Sequence, residues 1–280
     1  NYLPAGPMFH LANGAATFAV TSMAGGSTMI TAFDPLEVLR AIEREKVTIT
    51  MLIPTMINMV VNHPEAAGSD LSSLLDILYG ASPMPEGVLL EAFEKLPNCG
   101  WLQAYGQTEL SPVATVMPPE YHVLEGPKAG KLRSAGRAAV CCEVRIVDET
   151  GDELPRGEVG EISVRGPNTM QGYWNKEDLT KQTLHDDWLQ TGDIGFIDSH
   201  GYVHLLGRRE EIINIGGLKV APSEVEEILL KYKGIVEVAV TGVKSSDDIT
   251  GNVIKAYVVT DDPLLDLKKV EQFCLENMEP

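Results

Sequence analysis

Four short segments carry side chains that could do chemistry. "YGQTE", Tyr105 to Glu109, follows an apolar strand-like run. A glycine turn at a strand's carboxyl end exposes a hydroxyl and a carboxylate together. Thr108 can hold a phosphate oxygen and Glu109 a divalent cation, since Mg2+ prefers one or two carboxylates plus substrate phosphates. Tyr105 can stack on a base, although an ordinary polar turn accounts for the same residues. In "LQTGDIGFID", Asp193 stands at a strand start, where a carboxylate can accept both hydroxyls of a ribose. An Asx-type turn capping a hairpin is the alternative. In "GRREE", Arg208 can pair with Asp193 across a hairpin or donate to a ribose or phosphate, whereas a solvated surface charge run is the usual explanation. His10 in "GPMFHLANG" sits among apolar residues, where a packed core histidine is the commoner outcome.

The elements that must position these groups fall into three textures. Residues 34–104 alternate helix and strand signals. Asp34, Pro35 and Glu37 make a helix start, and Leu36, Leu39 and Ile42 give that helix an apolar stripe. "VTITML", "LDILYG" and "GWLQAYG" read as strands, with helices over Pro54–Asn62 and Pro85–Leu96 between them. Strands separated by helices imply a parallel sheet with helices on its faces, whose ligands sit at the strand ends. From about Val113 the chain turns rich in Gly and Pro, with short alternating runs such as "EVRIVDE" and "GEISVRG", the texture of an antiparallel barrel or sandwich. After residue 211, Ser223 to Glu226 reads as a capping box, and Val225, Ile228, Leu229 and Tyr232 as a helical stripe. Gly234 reads as a C-cap, and two strands and a last helix from about Leu264 come after it.

The predicted fold is therefore α/β: a parallel sheet with flanking helices, then an antiparallel β-barrel subdomain, then a small C-terminal α+β domain. The boundaries fall at 1–112, 113–207, 208–212 as a hinge, and 213–280.

With 22 basic and 40 acidic side chains, the 280-residue chain carries a formal charge of −18. That argues against nucleic acid or an anionic membrane as a general partner, both being polyanions. The most apolar window, "VTITMLIPTMINMVV", is too short and too interrupted to span a bilayer. Cys99, Cys141, Cys142 and Cys274 lack zinc-ligand spacing, and an adjacent pair suits a disulfide poorly. They read as reduced core thiols of a cytoplasmic protein.

Taken in order, these segments resemble the motifs of the adenylate-forming superfamily: acyl-CoA synthetases, luciferase-like enzymes and peptide-synthetase adenylation domains. "PMFH", "YGASPM", "YGQTE", "GEISVRGPNTMQGYW", "WLQTGD" and "GRREEIINIGGLKVAPSEVE" carry the resemblance along essentially the whole chain. It implies that ATP activates a carboxylic acid as an acyl-adenylate, with Mg2+, before transfer to a thiol, usually that of CoA. On that template Tyr105 stacks on the adenine, the backbone at Gly80, Ala81 and Ser82 borders the adenine and the acyl pocket, and Gly106 belongs to the nucleotide-binding set. Thr108 meets the α-phosphate, Glu109 holds Mg2+, and Asp193 and Arg208 hold the ribose. His10 lines the carboxylate end of the acyl pocket, Glu210 takes the hinge position, and Gly216 and Gly217 line the CoA tunnel. Lys219 stands near the adenylate.

The "GGLKVAPSEVE" wording is closer to acid–CoA ligases than to peptide-synthetase domains. Loading of a carrier-protein thiol and a non-catalytic nucleotide- or partner-binding remnant are the alternatives. A homodimer is possible. Met8, Phe9, Met51 and Met56 suggest apolar pocket walls, and core packing explains them equally well. The superfamily's glycine-rich phosphate loop and its catalytic lysine have no counterpart here. The resemblance therefore implies a piece of a longer polypeptide that adenylates poorly alone.

Overall fold

The computed structural model describes residues 1–216, 218–244 and 252–278. It divides into two compact units. One comprises Asn1–Glu158, Ile162–Thr191 and Phe196–His204; the other comprises Val159–Glu161, Gly192–Gly195 and Leu205–Pro280.

The first unit opens with strand β1 (Tyr2–Pro4) and helix α1 (Leu11–Ser22). Then come α2 (Pro35–Glu45), β2 (Ile49–Leu52), α3 (Pro54–Val61), β3 (Asp76–Gly80), α4 (Glu86–Lys95) and β4 (Gly100–Tyr105). Each expected strand and helix between residues 34 and 105 is present. Asp34 accepts from the Glu37 amide at 3.0 Å with Pro35 at the first helical position, so α2 starts where its cap dictates. Its buried face is Val38, Leu39, Ala41 and Ile42; Leu36, expected in the stripe, is half-buried because the face is rotated toward Val38. Helix α1 is not anticipated by the sequence pattern. Its residues mix Ala, Thr, Gly and Asn without an apolar stripe, and Phe18 on it is 78% exposed.

Strands β1 to β4 pair in parallel, and β5 (Thr115–Met117) and β6 (Arg137–Ala138) add antiparallel strands at one edge. Residues 115–138 thus belong to the α/β sheet although their composition resembles that of the barrel. Leu39, Ile42, Leu52, Ile57, Ile77, Leu89 and Trp101 pack the core between sheet and helices. Full burial of such side chains contributes about 1.5–3 kcal/mol each. Tyr79 pairs with Gln103 and Gly80 with Ala104, so the carboxyl ends of β3 and β4 lie side by side. The chain segments beyond them emerge next to one another.

The antiparallel sheet runs in the order β11 (Val203–Arg208), β10 (Trp188–Ile197), β8 (Gly160–Arg165), β7 (Glu143–Val147). It forms the curled half-barrel, with helix α5 (Glu177–Thr183) leading into β9 (Leu184–His185) against β10. The C-terminal α+β part of the second unit holds the hairpin β12 (Ile213–Ile215) and β13 (Leu218–Val220), helix α6 (Pro222–Leu230), the hairpin β14 (Ile235–Lys244) and β15 (Asn252–Thr260), and helix α7 (Leu267–Asn277). Ile213, Val225, Leu229, Ile235, Val240 and Val270 make its core.

Three local expectations change. The capping box at Ser223–Glu226 does not form: α6 starts at Pro222, which moves Ser223 inside the first turn. Its hydroxyl donates to the Leu206 carbonyl at 2.7 Å, and Glu226 accepts from the Val240 amide at 2.9 Å. Gly234 is no C-cap, since α6 ends at Leu230; it turns the chain into β14 at φ 96°. The cysteines are free thiols, but Cys141 is exposed rather than in the core, while its neighbour Cys142 is buried. Burial pushes the Cys142 thiol up to about 11, and the bond and charge of Cys141 add to it.

Candidate active site

At the end of β4 the backbone itself dictates sequence. A Cβ on Gly106 would collide with the Pro112 carbonyl oxygen, and one on Gly80 with the Ala104 carbonyl oxygen. Only glycine lets these strand ends approach so closely. Ala81 comes next, in the left-handed region at φ 66°, which costs a residue with a Cβ about 1–2 kcal/mol. Ala81 and Ser82 are both exposed.

Tyr79, just before this turn, is locked from behind by His122. The Nδ1 of His122 lies 3.1 Å from the Pro118 carbonyl, which can only accept; the proton therefore sits on Nδ1, and Nε2 accepts from the Tyr79 hydroxyl at 2.9 Å. Burial holds that imidazole down at about 4, partly offset by the Pro118 bond.

Thr108 opens a single 3-10 turn, Thr108–Leu110, with its side chain exposed and its hydroxyl unbonded among the described residues. Glu109 is half-buried and accepts from the Tyr173 hydroxyl at 2.7 Å. Its carbonyl accepts from the Met170 amide at 2.8 Å. Asn168 donates to the Leu110 and Val113 carbonyls at 2.6 and 2.8 Å. The segment "NTMQGY" thus grips the segment "TELSPV" at several points. The Tyr173 phenol is raised by burial first, then by the bond to Glu109 and its charge. Tyr105, placed beside a base by the sequence, is 9% exposed, so little of its surface is accessible.

In the second unit, Asp193 on β10 pairs with Arg208 at the end of β11 at 3.1 Å. The hairpin ion pair is the alternative the structure adopts; the Asx turn belongs instead to Asp198, which accepts from the His200 and Tyr202 amides. Asp193 keeps 14% side-chain exposure and Arg208 51%. Beside them Glu161, 11% exposed, accepts from the Gly192 amide at 2.9 Å and pairs with Arg209 at 2.7 Å. Glu161 was visible only as part of "GEISVRG", with nothing local to mark its partners.

Glu210 lies in an exposed turn, and the Arg208 carbonyl accepts from both the Glu211 and Ile212 amides. Gly216 turns the β12–β13 hairpin at φ 57° with open space around it. Lys219 on β13 is exposed and opposite Asn214, and Gly217 lies outside the described residues. His10 is exposed at the start of α1, its ring 5.8 Å from the 88%-exposed Phe9, so it is not a core histidine. Met51 and Met56 pack inside the first unit, whereas Met8 is 43% exposed.

No group of three or more His, Cys, Asp or Glu among the described residues is arranged to hold a metal. A lone, oriented carboxylate beside an exposed hydroxyl does fit Mg2+, which completes its octahedron with phosphate oxygens and water rather than a protein cage.

A parallel sheet with a Tyr-Gly-x-Thr-Glu turn at one strand end, followed by a half-barrel and a small α+β unit, defines an adenylate-forming architecture. The AMP-binding enzyme family matches residues 1–174, and the AMP-binding enzyme C-terminal domain matches residues 224–280. The chain belongs to the AMP-binding enzyme family. It is 38% identical over 261 residues to a feruloyl-CoA synthase of an Amycolatopsis species, covering 93% of this chain and 51% of that protein. The solved amide bond synthetase of Marinactinospora thermotolerans superposes with a TM-score of 0.90 at 32% identity, covering 99% of this chain and 55% of that one. The O-succinylbenzoate coenzyme A synthetase of Bacillus subtilis, in complex with ATP and magnesium ion, gives 0.86 at 30% identity, with 99% and 55% coverage. The chain spans about half the length of these relatives. No helix among the described residues is long and apolar enough to cross a membrane.

Proposed function

We propose that this chain carries the nucleotide-handling part of an AMP-forming carboxylic acid–CoA ligase. The observation that carries the proposal is the pairing, on one short turn, of an exposed Thr108 hydroxyl with an oriented Glu109 carboxylate. Thr108 donates to the α-phosphate. Glu109 would hold Mg2+, which would supply neutralisation of phosphate charge. Gly80, Ala81, Ser82, Tyr105 and Gly106 border the adenine, and Asp193 and Arg208 take the ribose hydroxyls. His10 lines the carboxylate end of the acyl pocket. Glu210 is the pivot of a hinge over 208–212, between a large domain ending at 207 and a small one starting at 213. Gly216 and Gly217 admit the pantetheine arm, and Lys219 lies near the adenylate. These groups act by positioning and electrostatics rather than by acid–base exchange.

The test is acid-dependent ATP–pyrophosphate exchange and CoA-thioester formation by the protein that carries this chain, across short, medium, aryl and long-chain acids. Glu109→Gln is expected to lower exchange by roughly 100-fold or more, the loss typical of removing one charge-stabilising group. Exchange unaffected by that change overturns the assignment. A carrier-protein thiol is the second acceptor to assay, and the likeness to an amide bond synthetase adds an amine as a third. Product analysis with each nucleophile decides among them.

A further inference from the structure

Glu109 is held by a partner that nothing in its own segment announces. Tyr173 stands 64 residues later and donates its hydroxyl to one Glu109 carboxylate oxygen at 2.7 Å. The other oxygen accepts no hydrogen bond among the described residues. Tyr173 is itself fixed, because its amide donates to the Thr180 hydroxyl at 2.9 Å, and that hydroxyl donates to the Lys176 carbonyl at 3.0 Å. The Glu109 main chain is held as well, through the Met170 amide at 2.8 Å, and Asn168 ties down the two carbonyls beyond it. One segment, Asn168 to Tyr173, therefore fixes both the backbone and the carboxylate of Glu109.

The chemistry of the clamp is specific. A phenol donates one hydrogen bond without bringing a positive charge, so it orients the carboxylate and leaves its negative charge for a cation. A lysine or arginine in the same place would orient it equally well and neutralise it.

We infer that Tyr173 is a positioning residue for the metal-binding carboxylate: its hydroxyl fixes Glu109 in the orientation that receives Mg2+, with Asn168 and Met170 holding the turn beneath it. This rests on the assignment of Glu109 to Mg2+ under the proposed function. Partners of this kind, one shell out from a metal, typically change metal affinity by about 10–100-fold when removed.

The experiment uses the protein that carries this chain, with ATP and either Mg2+ or Mn2+. Tyr173→Phe keeps the ring and deletes the hydroxyl. The Mg2+ concentration for half-maximal ATP–pyrophosphate exchange should rise about 10-fold, while the rate at saturating Mg2+ stays within about 2-fold of the parent. Paramagnetic resonance of Mn2+ in the ATP complex should show the same loss of affinity, a readout independent of turnover. A purely structural role for Tyr173 would lower the rate without moving the metal requirement. If Glu109→Gln raises that requirement and Tyr173→Phe leaves it unchanged, the positioning role is overturned and the Glu109 assignment stands. If Glu109→Gln itself leaves it unchanged, the Glu109 assignment falls and the positioning role with it. Should Tyr173→Phe not fold, Thr180→Val, which releases the Tyr173 backbone, carries the same test. A rise in metal requirement supports the proposal and an unchanged one overturns it.

Discussion

The two glycine-bearing segments to which the proposed function gives roles are built on opposite principles. In the turn after β4, Gly106 is required by crowding: its missing side chain makes room for the Pro112 carbonyl, and hydrogen bonds from Asn168, Met170 and Tyr173 hold residues 109–113 beyond it. In the β12–β13 hairpin, a Cβ on Gly216 would meet nothing among the described residues, and what favours glycine there is its φ of 57°. Between Arg208 and that hairpin the chain shows exposed charged side chains rather than packing. The first segment is a rigid mount. The second is a solvated stretch held by main-chain bonds, from the Arg209 amide to the Gly192 carbonyl and from the Glu211 and Ile212 amides to the Arg208 carbonyl, with Arg209 to Glu211 all exposed. Under the proposed function the phosphate-contacting group stands on the former and the pivot on the latter.

Substitutions can break this contrast. Gly106→Ala is expected to have the largest effect, destabilising the first unit by about 3 kcal/mol or preventing its folding, because backbone rather than a flexible side chain must move. Thermal denaturation checks it, and a near-neutral result would remove the crowding argument.

The His122 lock sets a comparable pH effect. Its folded value, about 4, lies below the usual 6.5, so the unfolded chain takes up a proton first as pH falls. Stability from this residue is complete above about pH 6.5 and is lost progressively toward pH 4, by about 3 kcal/mol in all. Denaturant melts from pH 7 to 4 should show that slope, and His122→Gln should flatten it.

Glu210→Pro is expected to spare adenylation and slow thioester formation by about 10-fold, as loss of a hinge would. Among the described residues the Glu210 amide donates no hydrogen bond for proline to remove. Equal loss of both half-reactions would remove the pivot. Gly216→Ala should cost least, about 1 kcal/mol, the strain of a left-handed alanine without a clash. A cost matching that of Gly106→Ala would erase the distinction between the two segments.

Much of the first unit was legible because its signals are local. Asp34 with Pro35 and Glu37 lies within one helical turn, and "LDILYG" carries its strand character in consecutive residues. The Asp193–Arg208 pair could be anticipated because a hairpin sets residues of its two strands opposite one another. The features that were not legible depend on distant partners or on competition. Nothing near Tyr173 points to Glu109. Ser223 had two partners to choose from, a local amide and the Leu206 carbonyl, and only tertiary structure decides between them. The positive φ of Ala81 defies the usual preference for glycine, a conflict that often marks a functional strand end. The segment around Thr115 joins the α/β sheet through a pairing edge, not through any change in its own composition.

Glu161 binds a whole patch together. A single carboxylate serves the Gly192 amide on one strand and the Arg209 guanidinium beyond another, flanking the Asp193–Arg208 pair on both sides. Variants at 161, 192, 193, 208 and 209 will therefore not combine additively, since each alters the partner on which the next depends. For laboratory evolution this makes the patch a single inherited block: it is improved or ruined together, and screens that vary one position at a time will undervalue it.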